Sequence, residues 1–325
     1  MSLYPLKFST IYKDKIWGGN KINTVLGKEY APLPNCGETW EVSGVEGNIS
    51  VVDGGSLDGK DLKSLIQEYK GELVGKRVFH KYADDFPLLI KFIDANDDLS
   101  IQVHPDDELA KQRHNSFGKT EMWYVMQADE GSTLISGFNK KLTKDEYLEA
   151  FNGGKLTDIL NREDVLTDDV FFLPAGRVHT IGKGLMIAEI QQTSDITYRI
   201  YDFDRKDAEG NTRELHVEEA LDAIDYDFYP EYKTNYTDQP NSAVKLVKSD
   251  YFETNKIVLD SELDRDFSSL DSFVIYICLE GEGTIEFEGG ETSLKMGDSI
   301  LVPASINKYK LKASPNIKLL ETYVP

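Results

Sequence analysis

Two short runs carry most of the chemistry open to this chain. One is Ile101-Gln102-Val103-His104-Pro105 and the other is Pro174-Ala175-Gly176-Arg177-Val178-His179. Between them lies Lys119-Thr120-Glu121-Met122-Trp123-Tyr124-Val125, a lysine and a carboxylate at the head of an apolar run. On a β-strand, side chains two positions apart share a face, so Gln102 and His104 point the same way. Glu121 and His179 stand at the ends of neighbouring apolar runs, which lets four ligand-type side chains converge inside one barrel. Two imidazole nitrogens and two oxygens form a mixed donor set suited to zinc or another divalent first-row metal. Taken singly, His104 or His179 would fit a core histidine with satisfied hydrogen bonds and Glu121 a solvated strand-end charge; the set of four in this spacing is what points to metal.

Positioning these groups falls mainly to short strands. Thr39–Ser43 and Asn48–Val52 have strand composition, the second closed by Asp53-Gly54-Gly55. Phe86–Asp94 is a strongly apolar strand leading to the Gln102/His104 strand, and Met122–Gln127, Thr133–Ile135, Val170–Leu173 and Leu185–Gln192 continue the pattern. Helical spacing is confined to a few stretches. Leu62, Leu65, Ile66 and Tyr69 set a helix over 61–70, and Leu215–Ile224 sets another. Thr143 and Glu146 form a capping-box pattern ahead of Tyr147, Leu148 and Phe151, so 142–165 is expected to hold two short helices broken at Gly153-Gly154. Tyr226–Asp238 has linker composition, and from about Ala243 the chain is strand and turn.

The strand before His179 has an echo. Asp169-Val-Phe-Phe-Leu-Pro174-Ala175-Gly176-Arg177-Val178-His179 aligns without gaps on Asp298-Ser-Ile-Leu-Val-Pro303-Ala304-Ser305-Ile306-Asn307-Lys308. The apolar strand and the Pro-Ala pair repeat, while Lys308 stands in place of His179. A duplicated barrel follows, with the second copy metal-free because an ammonium near the site would repel a cation. Phe273, Ile275, Ile277, Ile285, Phe287, Ile300 and Val302 are its expected packing residues. The architecture expected is mainly β: two β-barrel (jelly-roll) domains, 1–238 and 239–325. The first would carry the helical insertion near 142–165 and the helix near 215–224.

Composition bounds the partners. The 325 residues include 36 basic and 57 acidic side chains, for a formal charge of −21. That disfavours nucleic acid and anionic membrane surfaces, and any anionic substrate needs a local basic cluster to overcome the global field. Cys36 and Cys278 show no C-x-x-C spacing and fit free thiols in a reducing compartment. Met1–Phe8 is too broken by proline and charge for a signal segment, and no apolar run approaches membrane-spanning length, so a cytoplasmic location is expected. Oligomeric state is not fixed by any of these features.

The pattern strand-Gly-Asp-x-x-x-x-Pro-x-Gly-x-x-His of the cupin barrels resembles 168–179, with Asp168 at the usual glycine. Gln-x-His-Pro, Lys-x-Glu and Pro-Ala-Gly-x-x-His-x-Ile-Gly together closely resemble the type I mannose-6-phosphate isomerases in their compact bacterial form. Trp17-Gly18-Gly19, Gly37-Glu38-Thr39-Trp40-Glu41 and Gln191–Arg199 extend the likeness over residues 4–220, with a weaker barrel pattern beyond. The resemblance implies reversible conversion of mannose 6-phosphate to fructose 6-phosphate by proton transfer between C1 and C2 through a cis-enediol. It implies one zinc per chain, or another divalent ion in its place, held by Gln102, His104, Glu121 and His179. Arg199 matches the family's arginine near the reacting carbons, Lys119 its lysine beside the ligand glutamate, and Glu189 a glutamate assigned to proton shuttling. Lys119 and Arg199 would also bind the phosphorylated hexose. Where longer members carry a lysine six residues after the arginine, this chain has Arg205, which departs from the pattern.

Other readings stay open. An isomerase of another sugar, such as glucose 6-phosphate, would use the same donors, because epimers differ in one hydroxyl orientation. A non-catalytic sugar-binding regulator would dispense with Glu121 or Arg199, and both are present. A cupin oxygenase would favour a histidine-rich set over the Gln102 and Glu121 oxygens. Arg199 would serve structure alone if paired with Asp195 or Asp202, and Trp17, Trp40 and Trp123 have the character of packing anchors rather than a sugar platform.

Overall fold

Strands covered on both faces explain the most apolar runs in the chain. In the computed structural model, which describes residues 3–207 and 209–325, three antiparallel sheets lie in layers. Leu88–Ala95 and Leu185–Gln192 form the centre of the middle sheet and are buried at every position. A strand enclosed on both sides has no polar face to show.

The middle sheet has six strands in the order Ile11–Lys13, Glu38–Val42, Leu88–Ala95, Leu185–Gln192, Glu121–Ala128 and Val170–Leu173. One of its faces meets a five-stranded sheet ordered Tyr198–Tyr201, Ile101–Val103, His179–Ile181, Thr133–Phe138 and Leu160–Asp164. Ile93, Trp123, Val125 and Ile187 from the middle sheet pack there against Leu134 and Ile181. The opposite face, with Phe92, Met122, Tyr124 and Ala188, packs on Ile275, Ile277, Leu301 and Leu320 of the third sheet.

The third sheet runs Leu6–Lys7, Ser299–Val302, Val274–Phe287, Lys308–Tyr323, Glu253–Leu259 and Ala243–Lys248, with Gly290–Lys295 and Glu262–Asp266 paired alongside the two long strands. Register shifts between Cys278 and Glu280 and between Gly281 and Gly283 let these strands bend. The sheet thereby curls around a core of its own, including Tyr276, Cys278, Ile285, Leu311 and Leu319. Ile275 and Ile277 face the middle sheet while Ile285, Ile300 and Val302 face inward, and Phe287 is only partly buried.

The expected closed barrels are not formed. No ladder joins the five-stranded sheet to the six-stranded one, so each keeps two edge strands and the pair is a sandwich. Closure requires strands that tilt and stagger continuously around an axis. Here the chain instead crosses from Val170–Leu173 to His179–Ile181 through a turn that belongs to neither sheet. The strand Leu6–Lys7 pairs with Ser299–Val302, so Leu6 and Lys7 lie in the third sheet.

Helices cover the outer face of the five-stranded sheet. Thr143 caps Lys144–Asn152 with a full capping box. A 3-10 turn at Leu156–Ile159 then gives way to the strand Leu160–Asp164, where a second helix was expected. Tyr147, Leu156 and Leu221, the last from the helix Val217–Ala223, pack on Ile101, Val103 and Ile135. Asn48–Val52 forms isolated bridges, Phe8–Val52 and Val51–Asp61, and a Ser50 N–H bond to the Ser43 carbonyl, rather than the expected strand. Cys36 and Cys278 are free and buried, and no described helix is long and apolar enough to cross a membrane.

Candidate active site

Register across the two facing sheets decides which side chains meet. In the five-stranded sheet, Arg199 lies opposite Gln102 and Gln102 opposite His179, so all three project from one face. In the six-stranded sheet, Trp40, Lys91, Glu189 and Trp123 form a row of direct partners. Glu121, two residues before Trp123 on the same strand, shares its face. The sandwich closes these two faces on each other, and donor atoms of His104, Glu121 and His179 come within 4.8 Å of one another.

Each histidine is oriented from behind. Nδ1 of His104 donates to the Ile196 carbonyl at 2.8 Å and Nδ1 of His179 to the Arg177 carbonyl at 2.8 Å. A carbonyl can only accept, so both Nε2 atoms present lone pairs to the centre. Nε2 of His179 lies 3.3 Å from Glu121 Oε1 and Nε2 of His104 lies 3.6 Å from Oε2. Pro105 holds the His104 backbone extended. Gly176, with φ of 89° and followed by an Arg177 N–H donating 3.1 Å to Pro174, closes the turn that delivers His179.

Burial tunes these groups toward metal binding. Enclosure, helped by the Lys119 charge, depresses His104 well below the usual imidazole range and His179 to about 3, which keeps both neutral. Enclosure raises the Glu121 carboxyl to about 7 despite Lys119 nearby. Both Glu121 oxygens are buried without a hydrogen bond of normal geometry, although Lys119 Nζ approaches Oε2 to 2.9 Å. Two inward imidazole lone pairs and an unsatisfied carboxylate fit a divalent ion. Carbonyl acceptors behind each histidine are the outer partners that such sites need. Gln102 flanks this set, with Nε2 of its amide 3.2 Å from His179 Nε2. An amide rotation would turn its oxygen inward instead.

Above the triad opens a cavity of about 460 Å³. Its lining includes Lys13, Lys15, Lys91, Lys119, Arg199 and Arg213 against only Glu38, Glu189 and Asp195, six cations to three carboxylates. This inverts the sign of the whole molecule locally. Trp17, Trp40 and Trp123 line the same space, so all three tryptophans both pack and face the cavity. Below it, Lys91 meets Glu189 at 3.0 Å, and the Trp123 indole donates to Glu189 at 2.9 Å. Burial would raise the Glu189 carboxyl, but Lys91 and Lys119 outweigh it and hold the group ionised.

The structure places Lys119 at the triad, with Nζ 3.0 Å from His104 Nε2, and places Arg199 and Glu189 on the cavity wall. Arg199 donates to the Glu214 carbonyl at 2.7 Å, and no carboxylate pairs with it among the described residues. Of the two partners considered from sequence, Asp202 is taken by Arg213 and Arg205 instead, and Asp195 lines the cavity without an ion pair to Arg199. Arg205 also reaches the Asp98 carbonyl and so clasps two loops. Lys308 does not lie by an interior site; it is exposed and 3.2 Å from Asp266. Lys91, Lys13, Lys15 and Arg213 went unrecognised from sequence. A lysine inside the apolar run Leu88–Ala95 was the available signal for the first.

Residues 5–138 match the family description "Phosphomannose isomerase type I, catalytic domain" and residues 242–323 match "Mannose-6-phosphate isomerase, cupin domain". The chain is 35% identical over 320 residues to mannose-6-phosphate isomerase ManA of Bacillus subtilis, covering 96% of this chain and 97% of that one. It is 35% identical to mannose-6-phosphate isomerase of Streptococcus mutans, covering 94% of each. Among solved structures, mannose 6-phosphate isomerase from Bacillus subtilis superposes with a TM-score of 0.87 at 31% identity, covering 98% of this chain and 99% of that one. Matches to both family descriptions and a likeness that runs nearly end to end have one reading: the chain belongs to the type I mannose-6-phosphate isomerase family.

Proposed function

We propose that the protein is a metal-dependent mannose-6-phosphate isomerase, interconverting mannose 6-phosphate and fructose 6-phosphate. The observation that carries this reading is a six-cation cavity in a protein of charge −21, joined to a buried His-Glu-His triad through Gln102 and Lys119. A cationic recess suits a phosphorylated sugar, and neutral imidazoles with a carboxylate suit zinc. In this reading His104, Glu121 and His179 hold one divalent ion per chain, with the Gln102 oxygen as a fourth donor. Bound there, the ion supplies a Lewis acid that favours negative charge on adjacent sugar oxygens. Lys119 and Arg199 bind the substrate and stabilise charge developing on O1 and O2. Glu189, kept ionised by Lys91, takes the C2 proton to give the cis-enediolate and returns it to C1, while the hydroxyl proton passes from O2 to O1.

We divide the chain into a catalytic unit, 1–238, and a second unit, 239–325, to which the first unit lends its N-terminal strand. The second unit binds no metal in this scheme, and the setting is cytoplasmic. Glucose 6-phosphate is the competing substrate. The test offers each hexose phosphate to purified protein with and without a chelator and measures fructose 6-phosphate. Turnover of mannose 6-phosphate should vanish on chelation and return with zinc. His104→Ala should lose metal stoichiometry and activity together. Metal-free protein with full activity, or preference for glucose 6-phosphate, would overturn the proposal.

A further inference from the structure

The turn that delivers His179 is gripped from outside by a segment far along the chain. Arg177 is 6% exposed, and its guanidinium carbon lies 4.3 Å from the Tyr229 ring centroid and 4.7 Å from that of Tyr232. Both tyrosines belong to the stretch between the helix Val217–Ala223 and the third sheet. Guanidinium planes between aromatic faces are held by cation–π attraction as well as by packing. The grip is itself anchored. The Tyr232 hydroxyl donates to the Phe138 carbonyl at 2.8 Å, and a Cβ on Gly137 would sit 2.5 Å from the Tyr232 ring. Asp225 N–H donates to the Gly176 carbonyl at 2.8 Å, so the same segment binds the turn a second time through the backbone.

The consequence lies one bond away from the triad. The Arg177 carbonyl accepts from His179 Nδ1, a bond that places the ring proton on Nδ1 and turns Nε2 inward. We infer that Arg177 is a positioning residue: its side chain, clamped by Tyr229 and Tyr232, holds the carbonyl that orients His179 as a metal donor. The inference rests on the proposed metal role of the triad. Partners behind a ligating histidine typically account for 10–100-fold in metal affinity.

The test measures zinc retention by chelator competition in Arg177→Ala, Arg177→Lys and Tyr229→Leu. Tyr229 is 38% exposed, so its replacement leaves folding intact even if Arg177→Ala does not fold. Zinc affinity should fall roughly 10–100-fold in Arg177→Ala and Tyr229→Leu, with partial recovery in Arg177→Lys. Nitrogen-15 shifts of the His179 ring in metal-free protein should show a single Nδ1–H tautomer in the parent and a mixture in Arg177→Ala or Tyr229→Leu. Unchanged zinc affinity per folded molecule, or an unmixed tautomer in these two variants, would overturn the positioning role. Parent protein that binds no zinc but isomerises normally would instead defeat the metal reading beneath it.

Discussion

At the residue scale, Arg199 and Lys91 separate catalysis from stability. Arg199 reaches the cavity with one backbone acceptor and no carboxylate partner among the described residues, which leaves its charge open to the proposed substrate. Arg199→Ala should lower kcat by about two to four orders of magnitude, about 3–5 kcal/mol of barrier, with zinc content and thermal midpoint little changed. Arg199→Lys should recover part of the rate, since an ammonium lacks the guanidinium's planar fork. Near-normal kcat per folded, zinc-loaded molecule would take Arg199 out of the reaction. Lys91 behaves oppositely. Burial lowers its pKa, but Glu189 and Glu38 more than offset this and push it to about 12. Burial would raise Glu38, yet Lys91 and Lys15 hold it at about 2. Stability from Glu38 is therefore full above the ordinary carboxylate value of ~4.3 and is lost as pH falls toward about 2. Stability from Lys91 is full below ~10.4 and is lost as pH rises through about 12. Lys91→Met should cost about 3–5 kcal/mol near neutrality, because it strands the buried Glu189 carboxylate and leaves Glu38 with Lys15 alone. The deficit should shrink as pH falls from ~4.3 toward about 2, because the stability that Lys91 lends through Glu38 is lost from the parent over that range. A deficit that stays constant over that range would mean that Lys91 does not govern Glu38.

Elements explain what was legible in the sequence and what was not. The motifs around Gln102, Glu121 and His179 were readable because strand alternation and turn chemistry are local. Gly176 shows this: only a left-handed residue closes its turn, and a Cβ there would lie 2.9 Å from the Ala223 carbonyl. Gly176→Ala should cost about 1–3 kcal/mol and displace His179, seen as a lower midpoint together with lost zinc. Thr143→Ala provides the contrast. It removes the cap of Lys144–Asn152 on the outer face of the five-stranded sheet, so about 1 kcal/mol of stability should go while kcat and zinc content hold. A fall in kcat there would show that the outer helices shape the site. Less local features escaped. Asp107–His114 is helical with only Ala110 buried, so it has no apolar stripe to reveal it. Lys91 was hidden because its apolar neighbours set the pattern of the run, whereas its partners Glu38 and Glu189 lie on adjacent strands. Barrel closure likewise depends on which edges pair, and alternation along single strands carries no record of that.

Across the whole molecule, the third sheet is joined to the middle one by packing and by a charged tie at the position where cupin barrels usually have glycine. Asp168 sits at φ of 73°, accepts from the Tyr124 hydroxyl, and lies 3.1 Å from Lys318 Nζ and 3.8 Å from Lys256 Nζ. Both lysines belong to third-sheet strands, and the Lys256 side chain is 1% exposed. Lys256 keeps Asp238 at 2.9 Å, and Asp168 is itself 38% exposed, so solvent moderates the loss of either partner. Three replacements separate backbone from charge. Asp168→Asn tolerates the left-handed backbone and keeps an acceptor for Tyr124, so it should lose only the ionic part, about 1–2 kcal/mol. Asp168→Gly loses the whole side chain but relaxes the backbone. Asp168→Ala loses the side chain and retains the strain, and should be less stable than the glycine variant by about 1 kcal/mol. Alanine equal to or above glycine would refute the backbone argument, and asparagine equal to the parent would refute the ionic one. Cooperativity gives an independent readout. All three tryptophans, Trp17, Trp40 and Trp123, lie in the N-terminal part of the chain, so their fluorescence follows the first two sheets while far-ultraviolet circular dichroism follows all three. The two signals should coincide during denaturation of the parent and separate in Asp168→Ala, because weakening the tie lets the layers unfold at different denaturant concentrations. Coincident transitions in every variant would mean that apolar packing between the middle and third sheets couples the layers without help from Asp168.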